Sequence, residues 1–117
     1  MKLPGPDHPI TIAPAAGAWS AHFDGQLIVR SARALVLTEA TYPPVIYFPR
    51  QDPDMAKLSR TSRSTNCPYK GDASYFSVGG GEGGQNAVWS YEAPYPAMAE
   101  IAGYLAFYPN KVAVSEG

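Results

Sequence analysis

The chain has 117 residues, 45% of them hydrophobic and 16% charged, with a net charge of −1, which leaves room for one domain and excludes a disordered polyelectrolyte. Near-neutral charge argues against a dedicated nucleic-acid binder. The lone Cys67 rules out an internal disulfide and a thiolate-rich zinc site, and His8 and His22 are too few and too scattered to replace the missing thiolates.

A chain of this size buries roughly 65% of its unfolded surface, enough for one core without staples. Twelve Pro and eleven Gly are spread between apolar runs, the pattern of turns linking many short strands. No apolar run approaches the ~20 residues of a bilayer span. The opening Met1-Lys2-Leu3-Pro4-Gly5-Pro6 breaks at once into prolines instead of forming a secretory leader. The expectations are a cytoplasmic location and no membrane partner. Residues 1–9 read as a Pro-rich arm and 10–114 as the folded core.

In chain order, Ile10-Thr11-Ile12 alternates like a half-buried edge strand. Trp19, Ala21 and Phe23 share one face of the next, and Asp24-Gly25 supplies a tight hairpin turn. Leu27 and Val29 point one way on the return strand. Ala34 to Thr38 is nearly continuously apolar, and its Val and Thr content favours a strand over a short helix. Pro43-Pro44 ends that run and Val45-Ile46-Tyr47-Phe48 begins another, closed by Pro49. Asp52-Pro53 has the form of a helix start, with the Asp52 side chain as cap, and Met55 and Leu58 face inward from one short turn. The polar run Ser59 to Asn66 reads as a loop.

Gly71 to Val78 alternates again, placing Ala73 and Tyr75 on one face. The glycines of Gly79 to Gly84 read as a flexible hairpin tip; a phosphate cradle would need a following helix and a Lys-Ser/Thr end. The return strand carries Ala87, Trp89 and Tyr91 on one face. Pro96 to Ala102 reads as a second short helix stopped by Gly103. Tyr104 to Tyr108 closes the core and Lys111 to Val114 is a last edge strand. The sum is an all-β domain of about eight strands in two packed antiparallel sheets, with two short helices.

Few residues carry chemistry. Cys67 lies in Thr65-Asn66-Cys67-Pro68-Tyr69-Lys70-Gly71, where Lys70 or Arg63 could lower a thiol pKa. No histidine is near in sequence to act as base, and a small buried Cys at a proline turn is the plainer reading. Arg33 and Glu39 stand six apart, on one face of a strand. They form either an ion pair holding the strand ends or a guanidinium for an anionic ligand with a carboxylate beside it. Tyr75, Trp89 and Tyr91 can wall a pocket, since Tyr and Trp join apolar faces to polar tips, or can simply fill the core. Between Arg50 and Lys70 five basic residues face two acids, a local +3, either a solvated segment or an anion-facing one.

Taken together, Ser31-Ala32-Arg33-Ala34-Leu35, Tyr47-Phe48-Pro49-Arg50-Gln51-Asp52, Thr65 to Tyr75, Ala87-Val88-Trp89-Ser90-Tyr91 and Ile101 to Tyr108 resemble the bacterial and fungal family catalogued as domain of unknown function 427. The resemblance runs from about Trp19 to Val112. It implies a β-tent, similar to methionine sulfoxide reductase B and to the ligand-binding domain of cereblon. Relatives of that fold bind zinc through four cysteines; one cysteine cannot. The reductase chemistry lacks a second thiol to resolve a disulfide. The nucleotidyltransferase-like label sometimes attached to the family lacks its Gly-Ser and paired Asp carboxylates for two metals. The cereblon-type relatives hold a small cyclic ligand in an aromatic cage, an analogy of fold alone.

The expectation is therefore a small-molecule-binding module needing no metal or cofactor. Tyr75 and Trp89 would line its pocket, and Arg33 and Lys70 would contact a small polar or anionic cyclic ligand. The alternatives are an enzyme of unknown reaction using Cys67, Lys70 or Glu39, and a purely structural or interaction module.

Overall fold

The computed structural model describes residues 1–117. Its strands are β1 (Ile10–Pro14), β2 (Trp19–Phe23), β3 (Gln26–Ser31), β4 (Leu35–Glu39), β5 (Val45–Tyr47), β6 (Leu58–Cys67), β7 (Gly71–Val78), β8 (Val88–Ser90), β9 (Ala106–Phe107) and β10 (Ala113–Glu116). All pairings are antiparallel. The all-β class legible in the sequence is what forms.

The strands divide into three sheets, ordered β1-β4-β5, β10-β2-β3 and β6-β7-β8-β9, where alternation alone suggests two. The first and third adjoin through a single bridge, Phe48 donating to the Leu105 carbonyl at 2.8 Å and Leu105 returning the bond at 2.9 Å. No further ladder joins β5 to β9, so the sheets stay distinct.

The polar run Ser59 to Asn66 is not a loop; it is the centre of β6, the longest strand. It sits at a sheet edge with β7 as its one neighbour and is largely exposed on both faces. The ladder to β7 holds it on either side of an irregularity between Arg60 and Ser64 while its side chains stay wet, so it carries no apolar alternation to reveal it. Both short helices are 3-10 turns, Met55–Lys57 and Pro96–Ile101. Asp54, not Asp52, caps the first, accepting from the Ala56 N–H at 3.1 Å.

The glycine-rich tip is exposed from Gly79 to Gly83 and anchored at its last residue. Glu82–Gly84 is a further 3-10 turn, Gly84 is buried, and a Cβ there would overlap the Val78 carbonyl oxygen. Glycine at 84 is a requirement of close backbone approach.

Two apolar clusters fill the interior. One gathers Ala21, Val29, Phe48, Phe76, Val88 and Leu105 beneath the sheets; Phe48 and Phe107 meet there edge to face at 5.6 Å, a geometry that adds about 1 kcal/mol to the burial itself. The other is built from Leu37, Tyr47, Tyr75, Tyr91, Met98 and Ile101. Its three tyrosines turn one side of the core into the wall of a cavity.

Candidate functional site

An open cavity of about 860 Å³ lies among the three sheets, with Trp19 of β2 and Val114 and Glu116 of β10 joining residues of the first and third sheets in its lining. Leu37 and Glu39 of β4, Val45 and Tyr47 of β5, Tyr75 of β7 and Trp89 of β8 contribute to its lining, and Tyr91 and Tyr108 complete an aromatic wall. Fifteen of its 21 lining residues are hydrophobic, so burial of an apolar body would supply most of the binding energy and the few polar groups would supply orientation.

The aromatics come together because β7 and β8 pair with Tyr75 opposite Trp89. From there the rings interlock. Trp89 meets Tyr47 edge-on at 6.3 Å and donates from Nε1 to its hydroxyl at 3.3 Å. It lies 4.6 Å from the Tyr108 ring, which stacks on Tyr75 at 6.4 Å. Rings held on both sides keep their walls in place before any ligand arrives, which lowers the ordering cost of binding.

Lys70 reaches the cavity through the β6–β7 turn. Gly71 follows it at φ +109°, a conformation that favours glycine. The Lys70 carbonyl accepts from the Tyr95 N–H at 3.0 Å. Lys70 is thereby 6% exposed, and a cation so enclosed needs a counter-charge. Glu39, at the end of β4, supplies it: Lys70 Nζ lies 2.5 Å from Oε1. The other oxygen, Oε2, accepts from His8 Nε2 at 2.8 Å, and the His8 ring stacks on Tyr69 at 4.2 Å. Burial would raise the Glu39 pKa, but Lys70 and His8 outweigh it and hold the carboxyl below its usual value.

These contacts decide what the pair can do. Both Glu39 oxygens are occupied. The Lys70 ammonium has three N–H groups; one is on Glu39, and a second points towards Cys67 Sγ at 4.0 Å. For the third there is only the ring of Tyr91, 5.9 Å from the ammonium. Glu39 balances the Lys70 charge, so the pair adds no net charge to the cavity.

Arg33 is not part of this site. It is exposed in the bend between β3 and β4, pairs with Asp52 at 2.7 Å, and lines no part of the cavity. The Arg33–Glu39 pair allowed by strand alternation does not form either: Asp52 takes Arg33 and Ser31, while Glu39 takes Lys70 and His8. Cys67 is half-buried and lies behind Lys70, outside the lining. Tyr75, Trp89 and Lys70 do converge, joined by Glu39.

Three participants were hidden from sequence reasoning: Tyr47, Tyr108 and His8. Tyr47 and Tyr108 sit in apolar runs that look like pure core, and His8 belongs to an arm that looks detached. The arm is tied down by Lys2 donating to the Pro68 carbonyl at 2.7 Å. Burial pushes the phenols of Tyr47 and Tyr91 far above the usual value, so both stay neutral and able to donate hydrogen bonds. No cluster of three or more His, Cys, Asp or Glu side chains could hold a metal ion, and no helix is long and apolar enough to cross a membrane.

A family model described as a domain of unknown function (DUF427) matches residues 11–116. The chain belongs to that family. The match begins within β1 and ends at the last residue of β10, so every wall of the cavity is DUF427 sequence, while His8 lies outside it. No curated protein matches the chain. For this DUF427 domain the family description carries no activity, and the chemistry has to be argued from the cavity.

Proposed function

We propose that this chain is a small-molecule-binding module whose ligand is a ring-bearing compound with a polar edge. The observation that carries the reading is the pre-formed cavity of about 860 Å³, with aromatic walls and the Glu39–Lys70 pair in its lining. The rings of Trp89, Tyr75 and Tyr108 suit a flat apolar body. The spare Lys70 N–H suits a carbonyl or ring nitrogen at its edge. The reading requires neither a metal nor a cofactor. We place the protein in the cytoplasm, where a lone thiol such as Cys67 stays reduced.

The test is a thermal-shift screen of the full chain against ring-containing metabolites, because a ligand bound only by the folded state raises its midpoint. Compounds that raise the midpoint of the wild type should raise it less for Lys70→Met, which keeps the aliphatic stem and removes the donor. Hits that stabilise both proteins equally would show that Lys70 does not contact the ligand.

A further inference from the structure

A smaller cleft of about 370 Å³ opens beside the aromatic cavity. Its lining is Arg63, Asn86, Tyr108, Asn110 and Lys111: two cations, two carboxamides, a phenol and no carboxylate. Neither cation is used in any of the five ion pairs of the structure. Lys111 donates to the Gln85 carbonyl at 2.7 Å and keeps two further N–H groups. The Asn86 carboxamide oxygen accepts from Thr61 at 2.6 Å, which turns its NH₂ into the free end.

The cleft and the cavity are neighbours by two independent links. Tyr108 lines both. Arg63 lines the cleft and also lies over the ring of Tyr75, a cavity residue, at 5.1 Å. The Arg63 charge is felt inside: burial would raise the Tyr75 phenol, but hydrogen bonds to Thr65 and Tyr108, together with Arg63, bring it below its usual value.

We propose that the Arg63–Lys111 cleft is an oxyanion subsite of the aromatic cavity, so that the ligand joins a ring to a phosphate, sulfate or carboxylate group. This rests on the cavity reading above and adds the ligand's charge to it. The ring packs among Trp89, Tyr75 and Tyr108 while the acidic group passes Tyr108 to meet Arg63, Lys111 and the Asn86 NH₂. A planar guanidinium and an ammonium converging on one acid-free cleft match an oxyanion in charge and in donor geometry. A basic side chain on an edge strand also deters strand addition, but that role gives no reason for Lys111, from a different segment, to face the same cleft.

The experiment compares 1-naphthyl phosphate, 1-naphthol and inorganic phosphate on the full chain by calorimetric titration. The phosphate ester should bind about tenfold or more tighter than the naphthol, the gain expected from charge-assisted bonds. Inorganic phosphate alone should bind much more weakly than the ester. In Arg63→Gln/Lys111→Gln the preference for the ester should fall to about twofold or less. Raising NaCl from about 0.05 to 0.5 M should narrow the same preference in the wild type, a check that needs no variant. Equal affinity of ester and naphthol in the wild type overturns the subsite, as does a preference unmoved by both the substitutions and salt. If neither naphthyl compound binds saturably, the cavity reading itself is overturned.

Discussion

Lys70 Nζ and Glu39 Oε1 lie 2.5 Å apart across 31 residues of sequence, joining the β6–β7 turn to the end of β4. Both side chains are mostly enclosed, at 7% and 16% exposure. Removing one partner leaves the other charge buried without its mate, which costs more than the pair is worth. Glu39→Gln should therefore lower unfolding free energy by about 2–3 kcal/mol in urea titrations, at the low end of the buried range because Glu39 keeps some solvent contact. Lys70→Met/Glu39→Leu should lose less than Glu39→Gln alone. A single-variant loss below about 0.5 kcal/mol would mean the pair is solvated.

Glu92 provides the acid-side prediction. Hydrogen bonds from Arg60, above all, lower its pKa to about 2 against the pull of burial, with Ser74 and Arg50 assisting. A carboxyl lowered in the folded state contributes stability that is full above its ordinary value of 4.5 and fades as pH falls towards the folded value. Urea midpoints of the wild type should drop between about pH 5 and pH 2, and Glu92→Gln should flatten part of that slope. Equal slopes in the two proteins would contradict the assignment.

Gly84 is packed where a side chain has no room, so Gly84→Ala should destabilise by about 2 kcal/mol, in the range of overpacked sites. Gly81→Ala, where an added Cβ meets nothing within 4 Å, is the control and should be nearly neutral. Equal thermal midpoints for the two variants would show that the turn yields freely.

Arg33→Ala should leave binding in the cavity unchanged and reduce stability by less than about 1 kcal/mol, as removal of an exposed ion pair does. Isothermal titration with any ligand found by screening checks this. A tenfold loss of affinity would return Arg33 to the site.

Much of this arrangement was legible in the residues. Asp24-Gly25 closes β2 onto β3, and both take positive φ. Tyr75 and Trp89 face each other because both lie on apolar-alternating strands flanking a glycine-rich connection. What escaped has physical causes. Strand β6 is held by backbone bonds at an edge, so its side chains carry no periodic signal. Arg63 was consequently read as part of a polar loop and its place beside Tyr75 stayed hidden. Arg33 reads as strand because Ala34 to Leu37 follows it, yet it lies in the bend before β4, where Asp52 meets it. The choice among carboxylate partners is a long-range matter that local pattern does not encode.

The most direct measurement is a fluorescence titration with N-phenyl-1-naphthylamine, a neutral dye that brightens on leaving water for an apolar site. The account predicts one saturable class of sites in the wild type. It predicts loss of that signal in Val45→Trp, which fills the cavity from β5 without touching Glu39 or Lys70, while circular dichroism remains native. A dye signal that never saturates, or that survives intact in folded Val45→Trp, would contradict the claim that this cavity binds small molecules.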